Sequence, residues 1–435
     1  MSATRSDSLG RAAAALERGT TFVLRGRTDP EAPWRGIRLL IVWLLTRLVV
    51  VTFVPLAPYV VNDVNYYATV ITGQADPGFP GSLREYPVPA IWWLTIPSIL
   101  AGGEIKPYGW WFVFLMLCID GGLLVVLRRI GRSPRAITAW LAAGLAIGPI
   151  LLLRFDLLTG AMVATALLVA VPRPRLAAAL MVVAASVKLW PGVFVGLVAA
   201  AGPRRRPALV AAGITSVVLV VAATATSGWD RLLTPLAYQT DRGLQIESLF
   251  ALPAMMLWSL GVEGYVVDYP ASLSFEVSGP GTTLLGMLAT LATVAALAWV
   301  LGTTAAVWRR ASRPDLLTVA AWALLSGVCL LVLSNKVFSP QYMAWMLPIA
   351  VALLAVTGEA RARTSTYLMM CAAVAAQLLY PWLYDAVTSP YATALSPVAV
   401  VLIAVRLALV CVVAAIATQR TWQLLRADEP LAAAR

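Results

Sequence analysis

The chain has 435 residues, 60% of them hydrophobic and only 12% charged, and its mean hydropathy is +0.81. An ordinary soluble domain carries about 25% charged residues, so this composition excludes a soluble protein and indicates a membrane domain nearly throughout. The net charge of +12 does not indicate nucleic-acid binding, because most basic residues are arginines in short clusters between apolar runs, as in cytoplasmic loops of membrane proteins. Histidine is absent, which excludes histidine metal ligands and histidine general bases.

The charge pattern divides the chain into a membrane domain and two tails. Residues 1–36 are polar and are predicted to form a disordered cytoplasmic tail, residues 37–418 the transmembrane domain, and residues 419–435 a second cytoplasmic tail. The four cysteines all lie in predicted spans, so we expect packing residues rather than a disulfide framework or a metal site. The composition, rich in alanine and arginine and poor in lysine, is typical of a high-GC bacterium and predicts a plasma-membrane location.

The first predicted elements follow from placing every arginine cluster on the cytoplasmic side. The first span covers residues 37–57 and leads to the outer side. Residues 88–101 are predicted to form a helix on the outer surface, because this short segment contains prolines and two adjacent tryptophans that suit a membrane interface. Residues 108–127 then form the second span. Arg47 in the first span and Asp120 in the second are expected to pair.

The rest of the chain is predicted to continue as spans joined by connections. Residues 176–202 begin and end beside arginines, so we expect a hairpin of two short helices that meet at residues 188–192, where Pro191 breaks the helix. Residues 227–281 form a long outer loop with one short helix near residues 249–260. The remaining spans cover residues 135–153, 157–171, 207–226, 282–307, 315–334, 341–357, 365–384 and 396–418. The predicted fold class is an all-α polytopic membrane protein with about twelve transmembrane helices, counting the hairpin as two, and with both termini cytoplasmic.

Charged and polar residues gather in the segments predicted to lie on the outer side. Asp63 follows the first span among amide and phenol side chains, and it is either a solvated loop carboxylate or a general base. Arg242 and Lys336 each stand among hydrogen-bonding side chains beside a membrane helix, the combination that phosphate recognition requires. All three lysines fall on this side, and packing alone explains poorly why Lys188 lies at the tip of the hairpin.

Two further outer segments have alternative interpretations. Residues 84–87 either anchor the surface helix at the membrane interface or contribute Glu85 and Tyr86 to a sugar-binding cavity. Arg154 and Asp156, at the junction of two spans, form either a structural clamp or part of the same site.

The order of these segments resembles that of a known superfamily. The chain resembles the GT-C membrane glycosyltransferases, and within them the polyprenyl-phosphate-mannose-dependent mannosyltransferases of glycosyltransferase family 87. The likeness covers nearly the whole membrane region. It is carried, in chain order, by the first-loop acid Asp63, Tyr86-Pro87 before a juxtamembrane helix, RFD at 154–156, the hairpin residues Lys188 and Pro191, RGLQIES at 242–248, and NKVFSPQY at 335–342.

The resemblance implies a GT-C-like fold with a juxtamembrane helix in the first outer loop and an active site on the outer face. It implies transfer of a sugar, with mannose favoured, from a polyprenyl-phosphate donor to a cell-envelope glycolipid or glycan, without a metal or another cofactor. Asp63 would be the catalytic base, and Lys336 and Arg242, with Lys188 as a weaker candidate, would bind the donor phosphate. Candidate contacts to the sugar or the acceptor are Asn62, Tyr66, Glu85, Tyr86, Arg154, Asp156, Gln245, Glu247 and Gln341.

This chain departs from some relatives, which use a histidine near the phosphate. Because it has none, either a lysine or an arginine takes that role or the activity is altered. The expected partners are the lipid-linked donor, the glycolipid or glycan acceptor and membrane lipids, but no nucleic acid.

Other functions are compatible with the same sequence. A transporter or flippase of a lipid-linked sugar would also fit twelve spans and a broken hairpin, although such proteins place their polar site near the midplane and often have paired halves. A catalytically inactive relative that acts as a scaffold is a third alternative. Within the enzyme class, arabinose and glucose donors are not separated from mannose.

Overall fold

The computed structural model describes residues 36–75, 83–240, 242–270, 273–310 and 315–427. The predicted tail before residue 36 and the end of the predicted C-terminal tail lie outside these residues. The described chain is almost entirely helical. In chain order, the α-helices α1 to α18 are Ile37–Thr52, Pro58–Ile71, Val88–Leu100, Ile105–Val126, Pro134–Ile147, Ile150–Leu153, Asp156–Val169, Pro174–Val187, Val195–Ala200, Arg205–Ser227, Asp230–Thr240, Leu252–Ser259, Thr282–Arg309, Leu316–Ser334, Met343–Thr357, Ala360–Gln377, Asp385–Thr388 and Ser396–Arg426. The 3₁₀ and π turns are Val54–Leu56, Leu127–Gly131, Trp190–Phe194, Pro340–Tyr342 and Leu378–Trp382.

Within the described residues, seven helical segments are long and apolar enough to cross a membrane, which fits a multi-pass membrane protein. They are Ile37–Leu56, Ile105–Gly131, Arg205–Ser227, Thr282–Arg309, Leu316–Ser334, Pro340–Thr357 and Ser396–Arg426. The helices at two other predicted spans, α5 and α7, have only 14 residues each. At 1.5 Å per residue each is about 21 Å long, shorter than a hydrocarbon core of about 30 Å.

The sequence suggested that Asp63 belongs to the first outer loop, but the structure places it in a separate helix. Helix α1 ends at Thr52, a 3₁₀ turn follows, and Pro58 begins the separate helix α2. Proline suits the first position of a helix because its fixed φ is helical and its missing N–H would have no partner there. Asp63 therefore lies in the second turn of α2, on a rigid element rather than a loop.

The end of the chain also differs from the prediction. The predicted span 365–384 is interrupted, because α16 ends at Gln377 and Tyr380 has a non-helical backbone before Pro381. Helix α18, by contrast, continues past residue 418 to Arg426.

The described chain agrees with the all-α fold class, and the predicted outer loop 227–281 adds one small sheet to it. Strands β1 (Val266–Asp268) and β2 (Glu276–Ser278) pair antiparallel, with Val267 opposite Val277. Both valines are buried while their strand neighbours are more exposed, the alternation that favours a strand over a helix. The same loop also contains α11 in addition to α12, which is the predicted short helix.

The connections rich in arginine meet at one end of the helical bundle, which we call the arginine end. The Nη1 atom of Arg205 donates to the Trp308 carbonyl oxygen at 2.6 Å, and Gly202 lies against Ala170. The predicted hairpin is confirmed: α8 leaves this end, stops at Lys188, and the chain returns through a 3₁₀ turn and α9. The hairpin tip therefore lies at the opposite end of the bundle.

A buried ion pair joins the first two long helices, as expected. The Nε atom of Arg47 lies 2.7 Å from Asp120 Oδ2 and its Nη2 lies 2.8 Å from Oδ1. Arg47 also donates to the Leu141 carbonyl oxygen at 3.0 Å, and Trp43 Nε1 donates to Asp120. A Cβ at Gly144 would overlap the guanidinium, so glycine is required for α5 to approach this closely. The pair thus fixes the packing of α1, α4 and α5.

We expect Asp120→Leu to lower the free energy of unfolding by about 3–5 kcal/mol, because it leaves the Arg47 charge buried and uncompensated. The double variant Arg47→Met/Asp120→Leu removes both charges and should recover most of this loss. The measurement is the thermal midpoint of the purified protein in detergent. A double variant as unstable as the sum of the two single variants would contradict the pairing.

Candidate active site

A cavity with a volume of about 650 Å³ lies at the end of the bundle opposite the arginine end. We call it the basic cavity. Its cations come from three breaks between helices, and part of its apolar lining comes from α13 and α14. Its lining includes Lys188, Arg242, Lys336, Glu85, Tyr86, Gln341, Tyr342, Trp345, Thr290, Val294, Val328, Leu331 and Val332. A cavity that combines clustered cations with an apolar wall suits an anionic group attached to a lipid.

Lys188 is held at the break that ends α8. Its Nζ atom lies 3.3 Å from Asp156 Oδ1. It also lies above three rings, 4.6 Å from the Phe155 centroid, 5.0 Å from that of Tyr86 and 5.8 Å from that of Trp345. Ring faces attract a cation without using its N–H donors, so the ammonium group keeps donors for a ligand in the cavity.

The two other cations are brought together by interlocked loops. The Gln245 backbone N–H donates to the Lys336 carbonyl oxygen at 3.0 Å, and the Phe338 backbone N–H donates to Gln245 Oε1 at 3.0 Å. Lys336 Nζ in turn lies 3.5 Å from the Arg242 carbonyl oxygen. The segments 242–248 and 335–338, which are far apart in the sequence, therefore present Arg242 and Lys336 to one cavity.

An ion pair with no solvent exposure anchors these loops to the last helix. Arg406 Nη1 lies 2.5 Å from Glu247 Oε2, and Nη2 donates to the carbonyl oxygens of Glu247 and Phe338 at 3.0 and 3.3 Å. Gln245 Nε2 donates to the other Glu247 oxygen at 3.2 Å. Sequence analysis missed Arg406. Its signal was a single arginine within the apolar run of a span, which requires a buried partner.

A second cavity of about 380 Å³ contains Asp63. We call it the tyrosine cavity, because tyrosines form much of its wall. Asp63 is the one carboxylate among the described residues that line it, and 37% of its side-chain surface is exposed. Its lining includes Tyr59, Asn62, Asp63, Tyr86, Arg154, Arg242, Gln245, Tyr269, Ser274, Phe275, Gln341, Tyr342, Tyr380 and Tyr384.

Arg154 orients Asp63. Its Nε atom lies 2.9 Å from Asp63 Oδ2 and 3.0 Å from Gln341 Oε1. Its Nη1 donates to the Val60 carbonyl oxygen at 2.7 Å, and Nη2 donates to the Tyr380 hydroxyl at 2.9 Å. Each nitrogen of the guanidinium thus has a protein partner, and Arg154 acts here as a clamp on the carboxylate.

The environment raises the pKa of Asp63 above its ordinary value. Burial by the cavity walls has the largest effect and raises the pKa, while Arg154 and Lys188 lower it and Asp156 raises it further. A carboxylate with a raised pKa is a stronger base than an ordinary aspartate, which suits general-base work.

The two cavities share a wall. Tyr86, Arg242, Gln341 and Tyr342 line both of them, so the Asp63 side and the cationic side meet at one boundary. A third cavity of about 420 Å³ lies beyond Lys336 and is lined by Asp268 and Glu276 of the strands.

The structure brings most of the predicted site residues to these cavities. The predicted phosphate ligands Lys188, Arg242 and Lys336 line the basic cavity, as does Glu85. Asn62, Asp63, Arg154 and Gln245 line the tyrosine cavity, and Tyr86 and Gln341 line both.

Three predicted contacts to sugar or acceptor, Tyr66, Asp156 and Glu247, do not line these cavities. The Tyr66 hydroxyl donates to Glu85 Oε1 at 2.7 Å, and it orients that side chain instead. Asp156 and Glu247 have no exposed surface, because each is buried against its cation. These three residues hold the cavity-lining side chains of Glu85, Lys188 and Gln245 in place.

Sequence analysis also missed most of the aromatic wall, which comes from Tyr59, Tyr269, Phe275, Tyr380 and Tyr384. Their sequence signal was weak, because tyrosines near the ends of spans are typical of membrane interfaces. Their convergence depends on the break after α16 and on the small sheet.

Within the described residues, no three acids or cysteines lie close enough to hold a metal ion. Comparison of the chain with protein-family models, curated proteins and solved structures found no match. The function must therefore be inferred from the geometry and chemistry of the chain's own residues.

We expect Arg406→Ala to lower the free energy of unfolding by about 3–5 kcal/mol, because it leaves the Glu247 carboxylate buried without its cation. Arg420→Ala on the same helix is the matched control. Arg420 pairs with Glu359 at 3.0 Å, but both side chains are about a quarter exposed, and such pairs contribute only about 0–1 kcal/mol. The measurement is the thermal midpoint in detergent, and equal losses in the two variants would contradict the anchoring role of Arg406.

Proposed function

We propose that this chain is a membrane glycosyltransferase that moves a sugar from a polyprenyl-phosphate donor to a cell-envelope glycolipid or glycan. The observation that carries the proposal is the shared wall between the two cavities. One cavity contains a single carboxylate with a raised pKa, and the other gathers three cations beside an apolar wall. Mannose is the sugar that the sequence resemblance favours.

The basic cavity suits the donor. A lipid phosphate needs cationic donors for its oxygens and an apolar path for its chain. Lys188, Arg242 and Lys336 offer the first, and the valine and leucine side chains of α13 and α14 offer the second. Helix α13 also has a largely exposed apolar surface, as expected for a helix in contact with lipid.

The transfer step then needs only a base and a stabilised leaving group. Asp63 takes the proton from an acceptor hydroxyl in the tyrosine cavity while that oxygen bonds to the anomeric carbon of the donor sugar. The bond from the anomeric carbon to the phosphate oxygen breaks, and its electron pair leaves with the polyprenyl phosphate, whose charge the three cations stabilise. Asp63 later releases its proton to water. A single displacement of this kind inverts the configuration of the anomeric carbon.

We propose further that the chain has about twelve crossings in a GT-C-like arrangement, with the cavities on the outer face of the plasma membrane and both termini inside. The support is that the arginine-rich connections lie at the end of the bundle opposite the cavities, in agreement with the positive-inside rule. A transporter would place its polar site near the midplane, whereas these cavities open among the helix breaks at one end.

Asp63→Asn should reduce sugar transfer by about 10²–10⁴-fold, because it removes the general base and keeps the shape of the side chain. The assay is transfer of radiolabelled mannose from polyprenyl-phosphate mannose into a membrane glycolipid extract in proteoliposomes, repeated with arabinose and glucose donors. Glu104→Gln removes an exposed acid outside the cavities and should leave transfer unchanged.

Folding of the Asp63→Asn protein is checked separately by its thermal midpoint, and Asp63→Glu should retain part of the activity because a carboxylate remains. Full activity of a folded Asp63→Asn protein would refute the role of Asp63. No transfer by wild type from any of the three donors would refute the proposed function.

The pH profile of kcat/KM should report the pKa of Asp63. Because burial raises this pKa, transfer should fall on acidification with a midpoint above the ordinary aspartate value of about 3.9. Lys188→Gln removes a cation that lowers the pKa, so it should move the midpoint to higher pH. Lys336 is held at a different break, near the Arg242 carbonyl oxygen, so Lys336→Gln should lower the rate and move the midpoint less than Lys188→Gln does. Identical midpoints in wild type and Lys188→Gln would contradict this assignment.

A further inference from the structure

The tyrosine cavity has a charge pattern that does not suit an anionic ligand. Its charged lining consists of Asp63, Arg154 and Arg242 among the described residues. Arg154 is already engaged by Asp63, Gln341, Tyr380 and a backbone carbonyl. Arg242 lies on the wall shared with the basic cavity, where the donor phosphate is proposed to bind. A ligand of the tyrosine cavity should therefore be neutral.

The rings of this cavity form a continuous band. Tyr269 lies 4.8 Å from Phe275, and Phe275 lies 5.8 Å from Tyr384, measured between ring centroids. Tyr384 then lies 4.6 Å from Tyr380 and 5.7 Å from Tyr59. The small sheet carries the outermost ring, because Tyr269 directly follows β1 and is 55% exposed. The band extends from this exposed ring to the ring of Tyr380, whose hydroxyl accepts a hydrogen bond from the clamp Arg154.

Polar groups lie along the same cavity. Asn62, Gln245, Ser274 and Gln341 contribute amide or hydroxyl groups to the lining. Aromatic rings beside a few hydrogen-bonding groups match a pyranose, which has a face of C–H bonds and a rim of hydroxyls. An aliphatic alcohol would use the rings but not the polar groups. A phosphate would need a cation, and of the two in the lining Arg154 is paired with Asp63 and Arg242 lies on the wall shared with the basic cavity.

We propose that the tyrosine cavity binds a neutral sugar at the end of the acceptor, with its C–H face against the band of rings and one hydroxyl at Asp63. The proposal deepens the proposed glycosyl transfer and rests on it for the role of that hydroxyl. It assigns Tyr269, Phe275 and Tyr384 to acceptor binding. The acceptor must then present a sugar hydroxyl, so a lipid alcohol without a sugar is excluded as the substrate.

The first test measures binding without any donor, so that it does not depend on catalysis. Methyl glycosides of mannose, glucose, galactose and arabinose are added to wild-type protein in lipid nanodiscs, and saturation-transfer NMR detects contact with the protein. Tyr269→Ala should weaken the signal of the bound glycoside, and its exposed position favours normal folding. Tyr391→Ala is the matched control, because Tyr391 is 83% exposed and lies outside the cavities. It should leave the signal unchanged.

The second test uses transfer to octyl glycosides and to octanol. Tyr269→Ala should raise KM for the octyl glycoside by about tenfold, the size of effect expected for one lost ring contact, and leave KM for the donor unchanged. Octanol should not accept sugar. The acceptor assignment would be overturned by equal transfer to octanol. It would also be overturned if the Tyr269→Ala and Tyr391→Ala variants behaved alike in both tests. Neither outcome would contradict the proposed glycosyl transfer itself. Binding that depends on Tyr269 without transfer from any donor would instead refute the proposed function and retain the sugar site.

Discussion

The guanidinium of Arg154, at the junction before α7, joins its own segment to three others that are far away in the sequence. It contacts Asp63 on α2 and Gln341 in the 3₁₀ turn Pro340–Tyr342. It also donates to Tyr380 in the π turn Leu378–Trp382. Its side chain is 4% exposed, so these bonds are made in a low dielectric, where charge-assisted hydrogen bonds are strong. The position of the Asp63 carboxylate, the shape of the tyrosine cavity and the wall it shares with the basic cavity all depend on this one side chain. The two interpretations of the Arg154 segment, a clamp or a site component, therefore do not exclude each other.

The charged side chains of the two cavities differ in the contacts that hold them in place. The Asp63 and Arg154 pair neutralises itself within the tyrosine cavity. On the other side of the wall, Lys188 is paired with Asp156 and lies above ring faces, and Lys336 lies near the Arg242 carbonyl oxygen. Three cations against the one acid Glu85 in the described lining leave the basic cavity with a positive balance, which favours an anionic ligand there. The division gives each cavity a distinct chemistry. One suits an anionic lipid head group, and the other suits a neutral hydroxyl that must lose a proton.

The parts of this arrangement that depend on local pattern were predictable from the sequence. The order of the helices and the turn at Lys188 follow from apolar length, proline positions and arginine clusters, and the cations that line the basic cavity follow from the cost of charge near a membrane. What depends on distant contacts was not predictable. An arginine inside an apolar span shows that Arg406 needs a partner but not that the partner is Glu247. Likewise, nothing local distinguishes Tyr380 and Tyr384, which turn inward, from tyrosines at a membrane interface. The two strands were not predicted either, because three residues are too few to show the two-residue periodicity of a strand.

Four side chains of the site come from places where a helix is broken near a proline. Pro149 precedes Arg154, Pro191 follows Lys188, Pro340 follows Lys336 and Pro381 follows Tyr380. Within a membrane, a broken helix leaves backbone groups without partners, and this is tolerated only where protein or a polar cavity surrounds the break. The breaks and the cavities are therefore one structural feature. The breaks release carbonyls such as those of Leu153, Arg242 and Lys336, which accept bonds from Arg154, Lys336 and Gln245, and the same breaks turn the charged side chains into the space between the helices. A continuous set of spans would have neither the unsatisfied backbone that orders these side chains nor the cavity in which they meet.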